Sequence, residues 1–213
     1  MTRIEGAPAR PGALTRLSLR IARRKTAQLA GRETAQMLEP LEAYAHTPGL
    51  LLGYGMFELA AERATRVEHR LKELAALKAA TVVNCEYCID IGSAIARRTG
   101  LTDEQLLALP RHRDSALFDA REQLVLDYAA AMSRAPVDVP DELFAALGEH
   151  FDEAQIVELT SAIALENLRV RFNAALDIGS AGFSEGMVCA APETPAHAAA
   201  ASAGAALAGA ASR

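Results

Sequence analysis

Aromatic residues are scarce in this sequence, tryptophan is absent, and no long run of apolar residues occurs. Aromatic residues make up 5% of the 213 positions, although hydrophobic residues as a whole make up 51%. Aromatic and β-branched residues favour strands, whereas alanine, leucine, glutamate and arginine favour helices, so this composition predicts an all-α fold. A helix that spans a bilayer needs about 20 consecutive apolar residues. No stretch approaches that length, and we expect no transmembrane segment.

Cysteine is also rare. Three cysteines are too few, and odd in number, for a disulfide scaffold. The N-terminal region lacks the apolar centre of a secretory signal, because arginines at positions 16, 20, 23 and 24 interrupt the only candidate. We therefore expect a cytoplasmic protein. In that reducing compartment, a close pair of cysteines is more often catalytic or metal-binding than structural.

Charge is distributed unevenly along the chain. Residues 1–32 carry seven arginines and one lysine against Glu5, a net +7, which leaves −12 for the remainder and −5 overall. An acidic body argues against nucleic acid as a partner. The amphipathic basic arm could lie on an anionic membrane surface or pack on the acidic body of a neighbouring subunit. We favour the second alternative and expect a homo-oligomer.

The pattern along the chain predicts a basic N-terminal arm (1–34), a helical domain (35–187) and an alanine-rich flexible tail (188–213). Apolar positions at helical spacing, bounded by proline and glycine, predict ten helices. One starts at Thr47-Pro48, and the others cover residues 13–29, 32–38, 41–46, 65–82, 85–98, 103–109, 115–133, 141–147 and 151–178. Polar residues interrupt the last helix, and we expect them to make hydrogen bonds within or between subunits or to contact substrate: Glu166, Asn167, Arg169, Arg171 and Asn173.

The most informative string is Asn84-Cys85-Glu86-Tyr87-Cys88. Asparagine is a good N-cap residue, so we expect Asn84 to cap a helix whose first residue is Cys85. The free backbone N–H groups and the dipole of a helix N-terminus favour a thiolate. The i, i+3 spacing puts both sulfurs on one helix face, close enough to form a disulfide. The string therefore predicts a redox pair in which one sulfur becomes a sulfenic acid and the other condenses with it.

Two other interpretations of Cys85 and Cys88 are open. Buried cysteines can be small core residues, and paired cysteines can bind zinc. A structural zinc site usually takes four protein ligands, and the chain has no second Cys-x-x-Cys and no His-x3-His, so redox chemistry is favoured. No nucleotide, flavin or haem signature is present. We therefore expect no cofactor, and an external dithiol as the electron donor.

The segment ELAALKAATVVNCEYCIDIGSAIARRTGLTDEQL contains Glu73, eleven intervening residues, Cys85 and Cys88. It resembles the alkylhydroperoxidase D-like branch of the carboxymuconolactone decarboxylase superfamily, and the helical order is compatible over residues 35–185. The resemblance implies an all-α trimer or hexamer that reduces hydroperoxides, with Glu73 in a proton relay. It also implies that Cys88 attacks the peroxide and Cys85 meets the reductant, whereas the dipole argument favours Cys85 as the more acidic thiol.

The chain departs from the family pattern at one position. Four residues after the second cysteine, where the family has a relay histidine, this chain has Gly92. His69 lies four residues before Glu73 on the same predicted helix, so we hypothesise that it pairs with Glu73 and supplies the imidazole. An ordinary surface histidine is the alternative. With an incomplete relay, two other functions stay open: a thiol–disulfide adaptor for a separate peroxidase, and a non-catalytic oligomeric helical protein with a degenerate site.

Three further side chains near the motif have simpler predictions. We expect Asp90 to be a surface or intersubunit carboxylate, and Cys189 to be a free surface or half-buried thiol. Tyr87 could donate a hydrogen bond near the site or simply pack. The resemblance implies that true lactone decarboxylases of the superfamily lack the cysteine pair, so its presence here argues against that activity.

Overall fold

The computed structural model describes residues 2–4 and 6–193, and this part of the chain contains helices but no strand. The predicted all-α class is confirmed. None of the helices in the described ranges is long and apolar enough to cross a membrane. The α-helices are α1 (Ala13–Ala30), α2 (Glu39–Tyr44), α3 (Pro48–Arg63), α4 (His69–Val83), α5 (Glu86–Arg98), α6 (Asp103–Ala108), α7 (Ala120–Ser133), α8 (Asp141–His150) and α9 (Glu153–Leu176). A 3₁₀ helix, Leu109–Asp114, lies between α6 and α7.

Helix α4 lies at the centre of the molecule and packs against α5, α7 and α9. It is buried around most of its circumference by leucines and alanines, including Leu74, Ala75, Leu77, Ala79 and Ala80. The small alanines let neighbouring helices approach closely, and the leucines fill the space between them. One apolar cluster forms with α5 and contains Cys85 and Cys88, and a second forms with α7 and α8. The cysteine pair is therefore part of the buried core that packs around α4.

Side-chain caps decide where several helices begin. Asp119 and Asp152 each accept a hydrogen bond from the backbone N–H three residues later, in capping boxes at the starts of α7 and α9. The predicted helices over 115–133 and 151–178 therefore start later than expected, because an N-cap residue has non-helical backbone angles. The start predicted at residue 103 is confirmed, with Thr102 as its N-cap.

The predicted helix over residues 32–38 is wrong. Residues 35–38 form a turn, and α2 begins at Glu39 with Pro40 in its first turn, where the missing N–H leaves no helical hydrogen bond unmade. The sequence predicts a helix end at this proline, whereas the proline starts a helix. The side chain of Arg32, which precedes this turn, donates to the backbone carbonyl of Glu185 at 3.1 Å.

The N-terminal arm contributes α1, which packs against α3 and α5. Part of its apolar face points to solvent, with Leu14, Leu17 and Ile21 more than half exposed at 64%, 52% and 58%. Leu50 and Met56 of α3 are similarly exposed. Uncovered apolar surface of this kind is typical of interfaces. The homo-oligomer and the domain boundaries at 34 and 187 stay predictions.

Residues 188–193, which the sequence assigns to the flexible tail, lie against the helices. The backbone N–H of Ala190 donates to the hydroxyl of Ser93 at 3.0 Å. The carboxylate of Glu193 pairs with the ammonium of Lys78 at 3.1 Å, and both side chains are almost completely buried. Burial lowers the pKa of Lys78, and Glu193 opposes that shift. The start of the predicted tail thus contacts the helical body, and the rest of it, residues 194–213, lies outside the described residues.

Candidate functional site

The two cysteines lie at a sharp junction between α4 and α5. Asn84 ends α4 in the left-handed conformation (φ 61°), which asparagine adopts more readily than most residues. Cys85 has extended backbone angles and is the N-cap of α5. The prediction that Asn84 is the N-cap is therefore wrong by one residue. Only Asn84 and Cys85 separate the two helices.

Cys85 and Cys88 form a disulfide, with Cα atoms 5.3 Å apart. The backbone N–H of Cys88 donates to Sγ of Cys85 at 3.2 Å, so this sulfur accepts the hydrogen bond that an oxygen accepts in ordinary N-caps. Both cysteines are 5% exposed. Tyr87, between them, points its hydroxyl away from the sulfurs and donates to the carbonyl of Met37 at 2.6 Å. The i, i+3 spacing thus brings the two sulfurs together, and the tyrosine packs beside them.

An amide from the last helix contacts both sulfurs. Nδ2 of Asn173 lies 3.4 Å from Sγ of Cys88 and 3.7 Å from Sγ of Cys85. The residue is 3% exposed, and its Oδ1 has no hydrogen-bond partner among the described residues. The sequence marks Asn173 only as one of several polar residues in an apolar helix. Nothing local connects it with a cysteine 85 residues earlier.

Glu73, the predicted relay carboxylate, lies on α4 with 22% of its side chain exposed. Removal from water raises the pKa of Glu73 to about 7; the positive charge of Arg169 opposes this shift, and the negative charge of Glu166 adds to it. A carboxyl group with this pKa can both accept and release a proton near neutral pH. Glu73 is therefore suited to acid–base work.

His69 is the first residue of α4, one turn before Glu73. Its Nδ1 lies 3.7 Å from Oε1 of Glu73, and 61% of the side chain is exposed. Burial of the rest of the ring, together with the charge of Lys72, lowers the pKa of His69. The two side chains predicted to pair are indeed neighbours, but the separation is longer than a hydrogen bond.

A charged cluster on α3 and α9 surrounds the remaining side of this region. The guanidinium of Arg169 donates to both carboxylate oxygens of Glu58, at 2.9 and 2.5 Å, to Glu166 at 2.8 Å and to the hydroxyl of Tyr54 at 3.2 Å. Burial raises the pKa of Glu166, and the neighbouring carboxylates raise that of Arg169. Because Arg169 and Asn173 are one turn apart on α9, this cluster adjoins the sulfur pair. Sequence reasoning missed Tyr54 and Glu58, whose partner lies on a distant helix.

Gly92 occupies the position of the absent relay histidine. A Cβ atom built on Gly92 would lie 3.0 Å from Cδ1 of Leu77, so the space beside this glycine is already filled from α4. A histidine at this position would require Leu77 to move. The packing of α4 against α5 therefore fits glycine at this position and not the histidine of the family pattern.

Asp90 is buried (4% exposed), and the prediction of a surface or intersubunit carboxylate is wrong. Its carboxylate accepts a hydrogen bond from the hydroxyl of Ser180 and from the backbone N–H groups of residues 181, 182, 183 and 184, at 2.6–3.0 Å. A carboxylate with this many donors holds a loop rather than a substrate. Asp90 fixes the segment after α9 against α5.

Cys189 lies beyond that loop as a half-buried free thiol, as the sequence predicts. It lines an open cleft of about 740 Å³ together with Glu39, Glu86, Asp90 and Glu185. Within the described residues, no group of three or more histidine, cysteine or acidic side chains is arranged to hold a metal ion. At the cysteine pair, the geometry brings together two sulfurs and the amide of Asn173.

The family model described as the carboxymuconolactone decarboxylase family matches residues 49–131, which include Glu73 and both cysteines. The protein YnjA of Escherichia coli (strain K12) is 37% identical over 161 residues, which cover 75% of this chain and 88% of YnjA. The match therefore includes most of both proteins.

Solved structures show the same fold. The debrominase Bmp8 in its apo form has a TM-score of 0.69 and 23% identity, over 78% of this chain and 87% of Bmp8. A peroxidase-related protein from Ralstonia eutropha JMP134, described as an alkylhydroperoxidase AhpD core, has a TM-score of 0.64 and 18% identity, over 84% of this chain and 92% of that protein. The predicted alkylhydroperoxidase D-like helical fold is confirmed.

Proposed function

Because the chain belongs to the carboxymuconolactone decarboxylase family, we propose that it is an enzyme that reduces hydroperoxides at Cys85 and Cys88 with electrons from an external dithiol. One observation carries this proposal: the two sulfurs at the start of α5 form a disulfide within reach of a buried amide. A disulfide at this position is the oxidised product that a two-cysteine peroxidase reaches in each turnover.

In the proposed cycle, the thiolate of Cys88 attacks the terminal oxygen of the hydroperoxide, the O–O bond breaks, and the alkoxide leaves with a proton as an alcohol. Cys88 is then a sulfenic acid. The thiolate of Cys85 attacks that sulfur, hydroxide leaves with a proton as water, and the disulfide forms. The external dithiol reopens it in two thiol–disulfide exchanges, becomes a disulfide itself, and restores both thiols.

Glu73 is the proposed acid–base group of this cycle. It takes the proton of the attacking thiol and returns it to the leaving oxygen, and its pKa of about 7 supports both directions of transfer. His69, exposed beside Glu73, exchanges protons between that carboxylate and solvent. In this role it compensates for the imidazole that Gly92 cannot supply.

The test is the turnover of hydrogen peroxide and tert-butyl hydroperoxide with dithiothreitol as the reductant. We expect Cys85→Ser and Cys88→Ser each to lower turnover by at least about 100-fold, since each removes one of the two reacting sulfurs. Cys189→Ser is the matched control because this thiol is outside the disulfide, and it should keep wild-type turnover. Wild-type turnover in the Cys85 and Cys88 variants would contradict the proposal.

The order of attack can be tested in the same proteins. If Cys88 attacks the peroxide, Cys85→Ser retains a sulfenic acid that a dimedone-type reagent traps, and Cys88→Ser gives no adduct. An adduct in Cys88→Ser alone would reverse the two roles. The N–H group of Cys88 already donates to Sγ of Cys85, so such a reversal has a structural basis in the cap of α5.

The same assay separates two other functions. A pair that dithiothreitol reduces and an oxidised partner protein re-oxidises, without peroxide turnover, would be a thiol–disulfide adaptor. Bmp8 has a similar fold, and a variant of Bmp8 has been solved in complex with 2,3,4-tribromopyrrole. Faster turnover of that compound than of hydroperoxides would indicate reductive debromination, in which C–H replaces C–Br, bromide leaves, and two thiols become a disulfide.

We also propose that the protein acts in the cytoplasm, whose reduced thiol pool supplies the dithiol, and that it forms a trimer or hexamer. The exposed leucines and isoleucine of α1 support the oligomer. Light scattering should show a lower mass for Leu17→Glu with Ile21→Glu than for the wild type, because charges on this surface oppose association. An unchanged mass would exclude this surface from the interface.

A further inference from the structure

We infer that Asn173 is a catalytic residue of this chain, whose amide stabilises the open, singly ionised form of the cysteine pair relative to the disulfide. The inference rests on the proposed thiol–disulfide cycle and extends it by naming the residue that sets its equilibrium. It is carried by two observations: Nδ2 of Asn173 lies 3.4 and 3.7 Å from the two sulfurs, and Oδ1 of the same buried amide has no partner.

The disulfide form does not satisfy this amide. The sulfurs of a disulfide are weak acceptors and carry no hydrogen, so they offer Nδ2 little and Oδ1 nothing. Turning the amide over would only make the oxygen face two sulfurs without hydrogen. A buried polar atom without a partner is unfavourable. The oxidised site therefore contains a buried amide that its surroundings leave partly unpaired.

Reduction changes what the sulfurs can offer. An external dithiol supplies two electrons, the S–S bond breaks, one sulfur keeps the electron pair as a thiolate, and the other takes a proton to become a thiol. The thiolate is a charged and much stronger acceptor for the Nδ2–H groups. The thiol hydrogen can be donated to Oδ1, since a thiol is a weak donor. Asn173 thus gains interactions at both ends when the pair opens.

Another asparagine on the same helix shows the contrast. The amide nitrogen of Asn167 donates to the hydroxyl of Ser133 at 2.9 Å and to the carbonyl of Ile163 at 3.0 Å, and its oxygen accepts from Arg171. Both ends of Asn167 are therefore paired with groups that do not change during a redox cycle. Asn173 differs because its partners are the reacting sulfurs themselves.

The experiment measures the redox equilibrium of the pair without peroxide. The full-length wild type, Asn173→Leu, Asn173→Asp and the control Asn167→Leu are equilibrated with mixtures of reduced and oxidised glutathione, and alkylation of free thiols gives the reduced fraction. We expect the ratio of reduced to oxidised protein to fall about tenfold in Asn173→Leu, equivalent to a potential about 30 mV lower. Asn167→Leu should match the wild type.

A second readout follows the ultraviolet absorbance of the thiolate in the reduced proteins as the pH is raised. The midpoint of thiolate formation should rise by about one pH unit in Asn173→Leu. Asn173→Asp keeps the shape of the side chain but places a carboxylate beside the sulfurs, so its midpoint should rise further. This variant also decides the question if Asn173→Leu does not fold, because it adds no bulk to the core.

The outcomes separate this inference from the proposed function. The wild type could exchange with glutathione and reduce peroxide, while Asn173→Asp and Asn173→Leu keep its redox equilibrium and thiolate midpoint. That result would overturn the role of Asn173 alone. The wild type could instead exchange with glutathione but be inert toward peroxides, while the reduced-to-oxidised ratio and the thiolate midpoint shift as expected in the variants. That result would support the role of Asn173 and overturn the peroxidase proposal alone.

Discussion

Two carboxylates on neighbouring helices, Asp90 of α5 and Glu73 of α4, have opposite surroundings. Asp90 is enclosed by four backbone N–H groups and one hydroxyl of the loop after α9. Glu73 receives no hydrogen bond within the described residues, and the His69 ring lies 3.7 Å from its carboxylate. Both groups have lost water, but only one of them has received protein donors in exchange.

The difference shows how a single fold can surround one carboxylate with hydrogen-bond donors and leave another without them. Hydrogen bonds to a carboxylate stabilise its ionised form, whereas removal from water alone destabilises that form and raises the pKa. Glu73 shows the second effect, with a pKa of about 7. A group that can change its protonation near neutral pH is suited to catalysis, and a group enclosed by donors is suited to hold a loop. The comparison can be tested at each residue.

The largest expected effect is on activity at Glu73. Glu73→Gln keeps the shape of the side chain but cannot accept a proton, and we expect peroxide turnover to fall by about 10² to 10⁴-fold. The measurement is kcat/KM with hydrogen peroxide and dithiothreitol. Glu149→Gln, at an exposed position of α8, is the control and should behave as the wild type. Full activity in Glu73→Gln would remove this carboxylate from the mechanism.

The next effect is on stability at Asp90. Asp90→Asn replaces one acceptor oxygen with a donor that faces other donors, and we expect the free energy of unfolding to fall by about 4 kcal/mol. Thermal unfolding should show a Tm lower by about 10 °C. Asp103→Asn is the comparison, because half of the Asp103 side chain is exposed in its pair with Arg97 and its loss should cost under about 1 kcal/mol. Equal Tm values would mean that the loop is held by other contacts.

A third prediction concerns pH. The folded protein raises the pKa of Glu73 from 4.5 to about 7, so the folded state binds this proton more tightly than the unfolded state does. The resulting stabilisation is fully present below about pH 4.5 and is lost as the pH rises through 7. From about pH 4.5 to about pH 8, the wild type should lose up to about 3 kcal/mol relative to Glu73→Gln. Urea unfolding at both pH values tests this, and parallel pH profiles would contradict it.

The smallest expected effect is at His69. Its ring is mostly in solvent and 3.7 Å from Glu73, so water can take over much of its proton exchange. We expect His69→Ala to lower peroxide turnover by only a few-fold, because the interaction between an exposed pair of side chains is weak. Unchanged turnover would remove His69 from the relay. A loss as large as that of Glu73→Gln would instead show that the imidazole is indispensable.

The sequence was sufficient for the parts of this molecule that depend on near neighbours in the chain. Helical periodicity predicts most helices, and the i, i+3 spacing predicts that the two sulfurs can meet, which the disulfide bears out. The error at Asn84 is also local. Asparagine is favoured both as an N-cap and in the left-handed conformation, and the sequence does not show which role applies where two helices adjoin.

The interactions that complete the candidate site could not be predicted in this way. Asn173 is 85 residues from Cys88, and Arg169 is 111 residues from Glu58, so only the packing of α9 against α5 and α3 brings them together. The burial of Asp90 was missed for a related reason. Four of its donors are backbone N–H groups. Every residue except proline carries such a group, so the residue types do not reveal which of them donate.

The single left-handed residue between α4 and α5 has a consequence for quaternary structure. Because only Asn84 and Cys85 separate the two helices, Glu73 and the sulfurs belong to one short, continuous stretch of the same chain. The proposed base and nucleophiles therefore keep their relative placement in a lone subunit. Dissociation of the proposed oligomer would therefore not divide the reacting groups between chains.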